Sequence, residues 1–181
     1  MTLNKKTLVY SMAGLFFSLL GSNASSAKTT VSGGTVNFTG SVINAACAVN
    51  NTSTNQTVQL DQVRSARLVN IGDSIQNKPF KIELIDCDKT IATSVQAYFT
   101  GTEASTPGLL STSNDTVAIQ ILDGSNKPLA LNKDDATGLS TATNLVDTNT
   151  ILSFGTKVVS VASPVKASSF NATAYFNLVY P

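Results

Sequence analysis

Short runs of Val, Ile, Leu, Phe and Tyr, many alternating with polar residues, recur along the chain between clusters of Ser, Thr, Asn, Gly and Asp. A period of two puts successive side chains on opposite faces of an extended backbone, so the pattern is that of an all-β chain. It predicts strands over 80–87, 94–100, 117–122, 150–154, 158–162 and 171–180, with weaker ones over 42–49 and 57–60. No stretch has the period of a long amphipathic helix. Asp123, Gly124, Ser125 and Asn126 separate two apolar runs with turn chemistry suited to a hairpin. About eight short strands at this spacing suggest a sandwich of immunoglobulin-like character, without the buried tryptophan of antibody domains.

Residues 1–27 read as an address rather than as part of that sandwich. Lys5 and Lys6 precede an apolar stretch over 8–20, followed by the small residues Ser22, Ala24, Ser25, Ser26 and Ala27. An apolar core of about thirteen residues is short of the roughly twenty that span a bilayer and fits a secretory signal cleaved after Ser26 or Ala27. An N-terminal membrane anchor is the alternative. Cleavage removes two of the 12 basic residues and none of the 11 acidic ones, leaving a mature charge of about −1. No basic run tracks a phosphate backbone, which argues against nucleic acid as a partner.

Export also sets the expected state of the two cysteines. Cys47 and Cys87 in an oxidising compartment read as one disulfide closing a long loop. The chain has no histidine, which excludes Ser-His-Asp and Cys-His catalysis and any zinc site built on imidazole. Asp86 and Asp88 flank Cys87 but have no third ligand in the sequence nearby, so a solvated strand end is the simpler reading than a metal site. Asp134 and Asp135 read as solvated loop residues. No metal and no cofactor is expected.

Two segments stand apart. Val36, Phe38, Gly40 and Val42 fall on one face of an extended stretch, with Asn37, Thr39 and Ser41 on the other. This stretch follows the small, polar residues 29–34 and lacks a turn that folds it back. Ala172, Ala174, Phe176, Leu178 and Tyr180 form a second alternating row, one residue before Pro181. A sheet that ends there has an uncovered edge, which proteins either hide or use. One copy could lend its leading strand to the unfinished sheet of the next, and head-to-tail repetition makes a filament. An ordinary first strand of a complete domain remains the alternative for Val36, Phe38 and Val42.

On the stretches 33–49, 57–64, 80–88, 117–123 and 171–180, taken in order and with the cysteine spacing, the chain resembles the major subunit of type 1 fimbriae, in the chaperone-usher pilin family. The resemblance spans nearly the whole chain after residue 27. It implies an incomplete immunoglobulin-like sandwich lacking the seventh strand, divided into a signal peptide (1–27), an N-terminal donor extension (28–42) and a pilin domain (43–181). It further implies that Val36, Phe38, Gly40 and Val42 are donor-strand residues, and that Phe176, Leu178 and Tyr180 border the groove. The implied partners are other copies and related pilins, a periplasmic chaperone and an outer-membrane usher; the implied destination is a cell-surface fimbrium used in adhesion. The chain departs from the family pattern at Ser168 and Asp61, where glycines are usual, and at Pro181. A minor adaptor or terminator of the same kind of fimbria is the alternative role. A hydrolase using a carboxylate pair finds no recognisable arrangement in the sequence.

Overall fold

The computed structural model describes residues 28–76 and 78–181; the expected leader, 1–27, lies outside them. The chain divides into two units, 1–40 and 41–181. In the first, residues 28–40 have no regular structure and are exposed throughout.

The second unit is almost entirely β. Its strands are β1 (Ala48–Val49), β2 (Ser74–Gln76), β3 (Phe80–Ile85), β4 (Ser94–Gly101), β5 (Leu110–Ser111), β6 (Val117–Asp123), β7 (Pro128–Leu129), β8 (Thr143–Asn144), β9 (Asn149–Ser160) and β10 (Ala174–Val179). One helical turn, α1 (Asn51–Thr54), and a 3-10 turn, Ser65–Arg67, complete the elements. The larger sheet runs β1-β3-β9-β6-β5, with β2 continuing beside β9 and β7 beside β6; the smaller runs β10-β4-β8. Every pairing between these strands is antiparallel.

Alternation decides which face each strand buries. Along β9, Thr150, Leu152, Phe154, Thr156, Val158 and Ser160 are buried and the residues between them are not. Ile82 and Leu84 of β3 and Val95, Ala97 and Phe99 of β4 point inward in the same way. The two sheets thus share one core, where Phe99 meets Phe154 edge to face at 5.0 Å and Phe80 stacks on Phe154 at 5.3 Å.

The expected all-β sandwich is therefore present, with differences at particular strands. The runs 150–154 and 158–162 form a single strand, because Gly155 sits in an unbroken ladder opposite Leu122. The last strand begins at Ala174 rather than at 171, since the amide and carbonyl of Asn171 are taken by Ser113. Of 42–49 only Ala48–Val49 pairs, and 57–60 joins no sheet. The turn after β6 is as expected. Asp123 Oδ1 accepts from the amides of Ser125 and Lys127, both at 2.9 Å, while Asn126 takes φ 63°.

Candidate functional site

β10 is hydrogen-bonded along one edge only. Its residues pair with β4 from Ala174 opposite Gly101 to Val179 opposite Gln96. Among the described residues no strand pairs with its other edge. Beside it lies a groove of about 970 Å³, bounded by residues 53–64 and 168–176. Its floor is apolar: Phe80, Phe99, Leu110, Ile119 and Ile121 reach it from both sheets. A row of free backbone donors and acceptors beside an apolar trough is a template for an extended segment with alternating side chains.

Each wall is fixed by a few polar contacts. On one side, the side chain of Asn50 caps α1 and also donates to Glu83 Oε2 at 2.9 Å, while the Glu83 amide donates to Ser53 Oγ at 3.0 Å. The chain then leaves α1 as a wall tied at Gln56, which donates to the Lys81 carbonyl at 3.1 Å, and at Asp61, 3.2 Å from Lys78. Val58 and Leu60 turn inward and Thr57 and Gln59 outward, so this wall has the period of a strand but no ladder. Opposite, the buried Asn114 donates to the Lys166 carbonyl at 2.9 Å and to Ser168 Oγ at 3.0 Å. The serine at 168 thereby supplies a side-chain acceptor that a glycine lacks.

Phe176 lines the groove, and Leu178 and Tyr180 continue its row against the core. Burial raises the pKa of the Tyr180 phenol, which points to the Cys47 carbonyl at 3.5 Å. Cys47 and Cys87 form a disulfide with Cα atoms 4.2 Å apart. It clamps the start of the folded body to the end of β3, and the Asp88 amide adds a 2.8 Å bond to the Ala46 carbonyl.

Ahead of that clamp, Val36, Phe38 and Val42 are 74%, 92% and 102% exposed. Gly40 has open space where a Cβ would stand. No residue from Lys28 to Asn44 is in a strand. Asp86 and Asp88 are exposed, and the described residues contain no group of three or more side chains able to hold a metal. Asp88 and Asp135 instead close local turns by accepting from the backbone amides of Thr90 and Thr137. Nothing in the sequence pattern marks the floor residues as a groove lining; the wall has a signal in the alternation at 57–60, which reads as a strand but has no ladder.

The model of the family described as Fimbrial protein matches residues 36–181. A type-1 fimbrial protein A chain from Escherichia coli is 38% identical over 184 residues, covering 97% of this chain and 98% of its own. A fimbrial subunit type 1 from Klebsiella pneumoniae is 40% identical over 164 residues, with 84% and 86% covered. Among solved structures, the P pilus rod subunit PapA superposes with a TM-score of 0.62 at 26% identity, covering 76% of this chain and all of that one. A subunit of a chaperone-usher pilus superposes at 0.67 and 26% identity, covering 86% of this chain and all of its own.

Proposed function

The chain belongs to the fimbrial protein family, a family of structural rather than enzymatic proteins, and from that premise we propose that it is a shaft subunit of a chaperone-usher fimbria, polymerising by donor-strand exchange. The observation that carries this reading is the pairing of opposites in one chain: a β10 edge with no partner among the described residues over an apolar floor, and an exposed row of Val36, Phe38 and Val42. The row of one copy enters the groove of the next. Burying those three side chains is worth about 1.5–3 kcal/mol each, roughly 5–9 kcal/mol before ordering costs. Backbone pairing with β10 adds to it. Before assembly, a periplasmic chaperone fills the groove along Phe176, Leu178 and Tyr180, and an outer-membrane usher is where the exchange takes place. One strand replaces another in the same sheet, so the step needs no nucleotide and no metal. Fold similarity over the full length of a rod subunit supports a shaft position, from which the fibre serves adhesion.

Deleting residues 28–42 from the exported chain tests the exchange. The expected result is a folded body that reaches the periplasm and forms no fibres by electron microscopy; fibres of normal length contradict it. Labelled antibody along the whole shaft is expected, whereas label confined to tip or base places the chain among minor subunits.

A further inference from the structure

We propose that successive subunits dock end to end through charge, with Asp86 and Asp88 of the strand-giving copy facing Arg64 and Arg67 of the strand-receiving copy. The inference rests on the donor-strand reading above and adds to it a second, rigid contact. Its first support is chain length. Only Ile43, Asn44 and Ala45 separate Val42 from Ala46, which is buried, and three residues reach about 10–14 Å when extended. The giving body must therefore abut the groove end that Val42 occupies. Its rim there is set by the 2.8 Å bond from the Asp88 amide to the Ala46 carbonyl and by the neighbouring disulfide. Asp86 and Asp88 stand on that rim, both exposed.

The second support is direction. Every strand pairing in the fold is antiparallel, and an incoming strand antiparallel to β10 places Val42 beside Ala174. That end of the groove is bounded by residues 168–173 and by Arg64. Arg64 opens the 3-10 turn that carries Arg67, and both side chains are exposed.

The third is charge complementarity. Among the described residues neither arginine and neither of these aspartates has an ion-pair partner. The neighbouring charges are occupied: Lys166 pairs with Asp115 at the receiving end and Lys89 with Asp147 on the giving rim. At the receiving end Asp73 and Glu103 also accept from backbone amides. The opposite strand direction brings the acidic rim of one copy against the acidic rim of the other, so the same charges select orientation. Exposed pairs contribute little affinity and act mainly on encounter rate and register.

Full-length mature chains carrying charge changes test this. The double variant Arg64→Glu/Arg67→Glu is expected to assemble into fibres about tenfold more slowly at low ionic strength, a difference that fades in high salt. Asp86→Asn/Asp88→Asn is expected to slow assembly in the same direction. Asparagine tolerates the positive φ of Asp86 and keeps the turn acceptor of Asp88, so this variant retains the local fold. The quadruple variant Arg64→Glu/Arg67→Glu/Asp86→Lys/Asp88→Lys, with both surfaces reversed, is expected to recover most of the rate, which a folding defect does not do. A synthetic peptide spanning residues 28–44, which lacks the acidic rim, is expected to enter wild-type chains and chains carrying Arg67→Glu, a substitution outside the groove lining, equally fast. Wild-type assembly rates in both double variants at low ionic strength overturn the charge contact while peptide entry leaves donor exchange standing. A peptide that enters no chain overturns both.

Discussion

Asp123 shows how much one carboxylate can organise. It is 3% exposed and accepts from the amides of Ser125, Lys127 and Thr141 and from the Thr141 hydroxyl, tying the β6–β7 turn to the chain ahead of β8. Burial pushes its pKa up, but those hydrogen bonds outweigh burial and hold it below the ordinary value. A carboxyl depressed in the folded state contributes stability that is complete above its unfolded pKa of about 4 and is lost as pH falls through the folded value. Asp123→Asn is therefore expected to cost about 1.5–3 kcal/mol at pH 7 by urea unfolding, and to flatten the loss of stability below about pH 4. At Phe38 the expectation concerns assembly. Phe38→Asp puts a charge in the middle of the proposed donor row, and is expected to abolish fibre growth while leaving the stability of the unassembled chain within about 0.5 kcal/mol, since the side chain is exposed. Electron microscopy and denaturant unfolding of the same preparation check both halves.

At the scale of elements, the sequence spoke where a strand is long and one-sided and fell silent elsewhere. β3, β4 and β10 were legible because each alternates over six or more residues, and β6 because it is a near-continuous apolar run of strand length. β2, β5, β7 and β8 have two or three residues, too few for a period to register. The run 57–60 misled because alternation reports which side chains face an apolar surface, not whether a neighbouring backbone exists to pair with. The two end rows were visible in the sequence; the floor of the groove was not, because Leu110, Ile119 and Ile121 look like ordinary core residues until the missing neighbour is located. The disulfide links these elements to the free segment. Cys47→Ala/Cys87→Ala opens a loop of sequence separation 40 and is expected to cost about 4 kcal/mol in the chain-entropy model, checked by unfolding in urea.

At the scale of the molecule, an apolar trough of about 970 Å³ beside an unpaired edge leaves the folded body short of the burial a closed sandwich attains. The account's central claim is that an extended segment like residues 28–42 completes it. Thermal unfolding of the body alone, residues 43–181, titrated with a peptide spanning 28–44, tests this most directly. A ligand that binds only the folded state stabilises by about 2.7 kcal/mol at a hundredfold excess over its Kd, which for a body of this size raises Tm by roughly 5–10 °C. The account predicts a rise of that order that grows with peptide concentration and disappears when the peptide carries Phe38→Asp. A Tm indifferent to the peptide at every concentration contradicts it.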